Sequence, residues 1–513
     1  MSDISAREII LAKSGMEDIM KQTWVTLTRK AAVCLLAVPV LAGLSGCTQK
    51  LADPTLTKQT KEAQATPTGT PFPYYASMDD EPRTISGKCG DHAEWSYSTG
   101  TKVLTIRGSG TVDRVVDSDT SKQKIKGLAE PYEVEERITC TVKKIKIEEG
   151  ITALEAGNLF GNVFKDDDAK EIKLSLPDSL ERINVNTFAP TQDAVYIRKI
   201  HLPRNVRYIE GGAFWGLGTT DTSDTFRENL TITVDSRNPY YMTENNVLFT
   251  KDKKTLVYYP GEKKEQTYCI PESVTKVKAL AFSRNPFLKK VVLPTGITDI
   301  GAGAFYGDSK LSGINLAQAV KVKKLRDFDG VKAKLSYYDV AAPADAGEVS
   351  DEQDLVSEPE GSAKYLKEFA MLGTFAGTNL KEIQFPDSLK YAGYSTFCKC
   401  FCLKKITLGT GYAGQINPVN YCDKNGFLLP GEKSTDCFDI QIPVENKNYK
   451  VRGNVIYSGD GRTVYGVTKD YQKSTLTLDK NVKVITRNAF RNTKLKKVTV
   501  SGDLMIIGSG VFM

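Results

Sequence analysis

Beyond residue 140 the apolar positions fall into a short phrase that repeats. A phenylalanine is preceded five residues earlier by an aliphatic residue in Ile183/Phe188, Ile209/Phe214, Val277/Phe282, Ile300/Phe305, Ile485/Phe490 and Ile507/Phe512; Phe375 and Phe397 keep the aromatic but have alanine at the earlier place. The spacing is 26 residues from Phe188 to Phe214, 23 from Phe282 to Phe305, and 22 for both Phe375/Phe397 and Phe490/Phe512. A period of this length marks an array of stacked supersecondary units. Upstream, an apolar residue followed by proline recurs as Leu176-Pro177, Leu202-Pro203, Ile270-Pro271, Leu293-Pro294 and Phe385-Pro386. Proline has no N–H and a fixed φ, so it ends a short strand and turns the chain. The best-formed unit, LKKVVLPTGITDIGAGAFYGDSKL (288–311), predicts a strand, a proline turn, a second strand, and a turn of small residues that tucks Ala304 and Phe305 inward. One such unit cannot bury its own apolar face. Stacked, the Leu, Ile and Phe positions line up into a continuous core, at about 1.5–3 kcal/mol for each large side chain fully buried.

A longer duplication lies over the short one. Ile232, Asn238, Tyr241, Asn246, Val247, Asp252, Thr255, Val274, Val277 and Phe282 correspond to Ile440, Asn446, Tyr449, Asn454, Val455, Asp460, Thr463, Val482, Ile485 and Phe490 at a constant offset of 208, with only the Val277/Ile485 pair differing. At an offset of 209, LPDSL (176–180) matches FPDSL (385–389). The two halves therefore read as copies of one ancestor. Each carries an inserted segment, NNVLFTKDKKTLVYY (245–259) and GNVIYSGDGRTVYGV (453–467), in which alternating apolar residues flank a polar turn and predict a β-hairpin, the second turning at Asp460-Gly461.

The N-terminal region is of another kind. Arg29 and Lys30 precede the apolar run AAVCLLAVPVLAGL (31–44), the charged start and short hydrophobic middle of an export signal. It is too short to span a bilayer stably. Leu44-Ser45-Gly46-Cys47 looks like a lipobox, whose cysteine takes a diacylglycerol before cleavage in front of it. Residues 1–46 are thus expected to be a lipoprotein export signal, and Met20 would begin one of more typical length. Two or three acyl chains on Cys47 would hold the protein at a membrane, each buried methylene contributing about 0.8 kcal/mol. Residues 47–84, rich in Thr, Pro, Gln and Lys, have the composition of a flexible spacer.

Composition bounds the rest. At 513 residues the chain exceeds one ordinary core, as an array that grows by stacking does. No later stretch approaches the roughly 18 apolar residues of a spanning helix. The formal charge of +7 is modest, and basic runs such as Lys321-Val322-Lys323-Lys324 lack the interleaved aromatics that stack on bases, so they read as a solvated face and no nucleic-acid partner is expected.

The proline-and-phenylalanine phrase, together with the N-x-x-Y … N-V-[LI]-[FY] hairpin, resembles the BspA-like leucine-rich-repeat family of bacterial surface proteins over about 140 to 513. SGKCGDHAEWSYSTGTKVLTIRGSGTV (86–112) is similar to the β-rich unit that often precedes such arrays. The resemblance implies a leucine-rich-repeat solenoid, mainly β with short helical turns. A small β-rich unit (85–135) would precede a first half (140–325), an acidic insertion (326–363) too polar to order itself, and a second half (364–513). The chain reaches Met513 directly after a repeat phenylalanine, so that second half is expected to lack a polar cap. The family is usually described as adhesive or binding, with partners that vary. The reading is therefore of a non-enzymatic protein with no cofactor and no metal, which binds an extracellular protein or glycan at the cell surface. A passive envelope scaffold or spacer is the alternative, and an envelope enzyme with its site in residues 85–135 or the inserted loops is a third reading.

Candidate chemistry is sparse. The only histidines are His92 and His201, in different segments, and His201 in the strand KIHLP (199–203) is expected to face outward. Gly409-Thr410-Gly411-Tyr412-Ala413-Gly414 fits GxGxxG formally, but no helix pattern follows, so these read as turn glycines. Of ten cysteines, Cys34 leaves with the signal and Cys47 takes lipid; Cys398, Cys400 and Cys402 form the one dense cluster. Cys400 falls where the resemblance implies a buried cysteine. Cys422 and Cys437 lack zinc-ligand spacing, which favours free or disulfide-paired cysteines over metal. The candidate ligand contacts are the aromatics Trp215, Tyr240, Tyr241, Tyr258 and Tyr259, with core or edge packing as the alternative for each.

Overall fold

The structure is a computed structural model. It describes residues 8–12, 82–112, 140–215, 230–329, 371–414 and 439–511, apart from short gaps within these segments. The chain divides into two compact units, residues 14–77 and the remainder, and the first of these lies outside the described residues. So do the expected export signal from residue 13 onward, Cys47, most of the spacer, and nearly all of the acidic insertion. Within the second unit, Glu8–Ala12 pairs antiparallel with Lys497–Ser501.

The array follows the repeating phrase. In the best-formed unit, Lys290–Val292 pairs in parallel with Thr267–Cys269 before it and Gly313–Ile314 after it. The proline turn is closed by the Ile297 N–H, which donates to the Pro294 carbonyl at 3.2 Å. The second strand, Asp299–Ile300, then pairs in parallel with Lys276–Val277. Each coil of chain thus contributes one strand to each of two parallel ladders. Alternation sets which residues point in: Lys290 is exposed while Val291 is fully buried. The small-residue turn has a steric cause, since a Cβ on Gly301 would lie 2.3 Å from the Ala279 backbone nitrogen of the preceding coil. Helix is almost absent, with one 3-10 turn, Leu316–Gln318, among the described residues.

The phenylalanines form a ladder through the core. Phe160, Phe188 and Phe214 stack at centroid distances of 6.1 and 5.8 Å, and the series ends on Tyr258 at 5.3 Å. A second run goes from Tyr259 to Phe282, Phe305, Phe375 and Phe397 at 4.9, 5.1, 5.5 and 5.9 Å. Phe305 and Phe375 are adjacent rungs although 70 residues separate them in sequence.

The N-terminal β-rich unit does not stand apart from the array. Thr84–Lys88, Ala93–Ser98 and Val103–Gly108 form an antiparallel meander. Val103–Gly108 then pairs in parallel with Lys144–Ile147, and that strand with Lys173–Ser175. Trp95, Tyr97, Leu104 and Ile106 share one core cluster with Phe160 and Phe188.

Both predicted hairpins form, and each belongs to a five-stranded sheet of the same topology. Tyr241–Glu244, Val247–Thr250 and Thr255–Tyr258 run antiparallel, and the last joins the parallel ladder at Lys276–Val277. Tyr449–Arg452, Val455–Ser458 and Thr463–Val467 do the same, ending on Val484–Ile485. The register slips at Leu248/Phe249 in one and Ile456/Tyr457 in the other, the same place at the offset of 208. These sheets are buried on both faces. Tyr241, Leu248 and Val257 face the first core cluster, whereas Val247, Phe249, Leu256 and Tyr259 face the second. Their counterparts Tyr449 and Ile456 face the second cluster, and Val455, Tyr457 and Val464 the third. The duplicated insertion is a partition that divides a long apolar column into three segments.

Candidate binding surface

Burial sorts the five candidate aromatics. Trp215, Tyr241, Tyr258 and Tyr259 retain 6%, 4%, 6% and 0% of their surface, while Tyr240 retains 46%. Four of the five are thus corrected from exposed contacts to packing groups, and for the three tyrosines the cause is the partition just described. In a sheet buried on both faces, alternate positions both point into core, so aromatic content does not signal exposure. Tyr241 also holds the preceding coil: its hydroxyl accepts the Ile209 N–H at 3.0 Å. Tyr240 is the exposed member of the five.

The small polar motifs resolve as fold chemistry. Gly409 lies in a turn stacked on the coil before it, where a Cβ would come within 2.2 Å of the Pro386 carbonyl oxygen. Tyr412 of the same motif is buried, and the Thr410 N–H donates to the Asp387 carboxylate at 2.8 Å. His201 and His92 are both exposed, and His201 Nδ1 lies 3.0 Å from Thr233 Oγ1. Cys400 is buried, with its Sγ donating to the Phe375 carbonyl at 3.0 Å, and burial pushes the thiol pKa up to about 11. Cys269, Cys400 and Cys402 are free thiols, while Cys398, Cys422 and Cys437 lie outside the described residues. Among the described residues no group of three or more His, Cys, Asp or Glu side chains is placed to hold a metal ion. No helix among them is long and apolar enough to cross a membrane.

Cys400 belongs to a buried polar position three residues after the phenylalanines Phe282, Phe305, Phe375 and Phe397, held by Asn285, Asp308, Thr378 and Cys400 in successive coils. Asp308 is the costly member. Its Oδ1 accepts the Asn285 N–H at 2.9 Å, while Oδ2 is buried with no hydrogen-bond partner among the described residues. Desolvation holds its carboxyl well above the ordinary carboxylate range, against the lowering effect of the Asn285 N–H. A raised folded-state pKa favours folding below the unfolded carboxylate pKa, and this contribution is lost as pH rises toward the folded value. Asp308→Asn is therefore expected to stabilise the protein at neutral pH, and urea denaturation against pH checks this. The gain should shrink to nothing as pH falls below the ordinary carboxylate range; a gain independent of pH would assign the effect to shape instead of charge.

The outer face of the first parallel ladder is a polar surface built from regular positions. Lys144 and Lys146 alternate with buried Ile145 and Ile147. In register, Val103, Lys144 and Lys173 form one row and Thr105, Lys146 and Ser175 the next. Lys199–Leu202 lies beside Lys173–Ser175 and adds exposed Lys199 and His201, which pair in register with Thr231 and Thr233. Lys146 is paired with Glu148 at 2.7 Å and Lys199 with Glu171 at 3.3 Å. Lys144 and Lys173 face each other across neighbouring strands, and neither is in an ion pair among the described residues. Sequence reading missed this row because its members stand 29 and 26 residues apart. The available signal was a lysine opening each of KIKI (144–147), KLS (173–175) and KIHL (199–202).

These features define a strand-rich repeat protein, stacked coil on coil, with a polar ladder face. Six copies of the BspA type leucine rich repeat region match residues 158–236, 262–334, 370–418 and 469–513, so the chain carries repeats of this type. Both hairpin partitions fall between matched segments. Among solved structures, the chain is similar to a leucine-rich repeat protein from Eubacterium ventriosum, with 20% identity over 64% of this chain and 86% of that one and a TM-score of 0.33. It is similar to a leucine rich cell surface protein from Faecalibacterium prausnitzii, with 15% identity over 71% and 96% and a TM-score of 0.36. It is also similar to the pneumococcal vaccine antigen PcpA, with 16% identity over 79% and 94% and a TM-score of 0.37. No curated protein sequence matches it.

Proposed function

We propose that this protein is a lipid-anchored cell-surface binding protein, in which a leucine-rich-repeat solenoid presents a long face to an extracellular protein or glycan. The observation that carries the reading is the stack itself. Its two parallel ladders and continuous aromatic core fix side chains from many coils on one regular surface. Such surfaces recognise extended partners by repetition. The expected lipid on Cys47 and the spacer to residue 84 would tether this surface and give it reach. A passive envelope scaffold is the second reading, and it needs the stack without any ligand.

Binding of the purified chain to immobilised extracellular-matrix proteins, mucins, and bacterial and host glycans separates the two. A saturable ligand supports the first reading, and silence across the whole panel supports the scaffold. The anchor has its own test. Cys47→Ser should abolish metabolic labelling with radioactive palmitate and move the protein from the membrane fraction to the soluble one; unchanged labelling would rule out Cys47 as the lipidated residue.

A further inference from the structure

We propose that the lysine row Lys144, Lys173 and Lys199 is a contact site for a linear acidic polysaccharide laid across the strands of the first ladder. This deepens the binding function proposed above and rests on it.

Like charges directly opposite in neighbouring strands destabilise a sheet, and Lys144 is in register with Lys173. In the second half the matching positions carry carboxylates. The offset of 209 places Glu382 where Lys173 stands, and the offset of 208 places Asp439 where Thr231 stands. Between them lies Lys405, in register with both, so a lysine there sits between two carboxylates. One ancestral ladder has thus become self-neutralising in one copy and basic in the other. Packing is alike in the two, since Ile145 and Ile200 are buried beneath the first row as Ile383 and Ile406 are beneath the second. The difference lies in what faces outward.

The geometry selects the ligand class. Paired strands put Lys144 and Lys173 ~4.8 Å apart, close to the length of one pyranose residue in an extended chain, and Lys199 stands on the strand beside Lys173–Ser175. Thr105, Ser175, Thr231 and Thr233 flank the row and supply hydroxyls for a sugar's own. The row and these neighbours include no aromatic side chain on which a base would stack, which disfavours single-stranded nucleic acid. Sulfated host glycans and phosphodiester-linked bacterial wall polymers share the required chemistry, a regular line of fixed negative charge.

The test uses the full chain against immobilised heparin, chondroitin sulfate, wall teichoic acid, neutral dextran and single-stranded DNA. The unaltered protein should bind at least one acidic polymer saturably, more weakly as salt rises, and should ignore dextran. The triple variant Lys144→Gln/Lys173→Gln/Lys199→Gln should bind about tenfold more weakly or worse. The matched variant Lys290→Gln/Lys405→Gln/Lys497→Gln removes the same charge from elsewhere and should bind as before. Thermal unfolding should be unchanged or slightly raised in the first variant, because a repulsion has been removed. Preference for heparin or for teichoic acid then distinguishes host from bacterial polymer. Equal losses in the two variants, tighter binding of DNA than of any glycan, or no acidic polymer bound would each overturn the site. A protein or neutral glycan whose binding survives the first triple variant would sink the lysine row and leave the binding function standing, whereas silence on every surface would remove both.

Discussion

Phe305→Ala is expected to destabilise the protein by about 3–5 kcal/mol, the range for truncating a fully buried phenylalanine. Phe305 is 0% exposed and forms a rung between Phe282 and Phe375, with centroids at 5.1 and 5.5 Å and interplanar angles of 24° and 2°. Alanine would remove two ring contacts and leave a gap that neighbouring coils cannot close without breaking their backbone bonds. Those bonds include the Phe305 N–H to the Thr374 carbonyl at 3.0 Å and the Phe282 N–H to the Ala304 carbonyl at 2.9 Å. Equilibrium urea denaturation measures the loss, and hydrogen exchange locates it. Each coil of a stack contacts only its neighbours, so protection should fall around Phe282 and Phe375 and hold around Phe188, which lies in a different core cluster. A loss below about 1 kcal/mol, far under the range for such sites, would mean that the phenylalanines are not the core ladder.

The repeating phrase made most of this fold legible. Its spacing named the rungs, its prolines named the turns, and the duplication named both hairpins. The sequence did not reveal where the hairpin residues face. Val247, Leu248 and Phe249 read as one apolar run, yet successive members enter different core clusters. That is why Tyr241 and Tyr259 passed for surface candidates while only their neighbour Tyr240 is exposed. The lysine row and the polar stack were hidden for a different reason. Asn285 and Asp308 are 23 residues apart, and nothing local distinguishes a buried aspartate from a solvated one. Such residues become neighbours only once the coils are stacked, so their chemistry belongs to the period of the array and not to any short motif. The same holds for Lys144 against Lys173, where the meaning of a charge is set by the strand beside it.

The duplicated asparagines give the second large effect. Asn238 is 1% exposed; its Nδ2 donates to the Pro203 and Val206 carbonyls at 2.8 and 3.0 Å, and its Oδ1 accepts the Tyr240 and Tyr241 N–H groups at 2.8 and 2.9 Å. Asn446 repeats this with the Gly409 and Tyr412 carbonyls at 3.0 and 3.1 Å and with the N–H groups of Asn448 and Tyr449 at 2.9 and 3.1 Å. Each asparagine ties the proline or glycine turn of one coil to the first strand of the following partition. Alanine at either place strands two backbone N–H donors and takes one donor from each of two turn carbonyls, of which those of Pro203, Gly409 and Tyr412 keep another. Stranded buried groups cost about 1–3 kcal/mol each, so with two N–H groups stranded at each site a loss of roughly 2–5 kcal/mol is expected for Asn238→Ala and for Asn446→Ala. Aspartate should be no better, because it keeps the acceptor but turns a second oxygen toward two carbonyls. The two sites serve different partitions and share no partner, so the double variant should lose the sum of the single losses to within about 0.5 kcal/mol. A double variant that loses much less than the sum would show that the two partitions unfold as one, and that the duplicated halves are not separate segments of the stack.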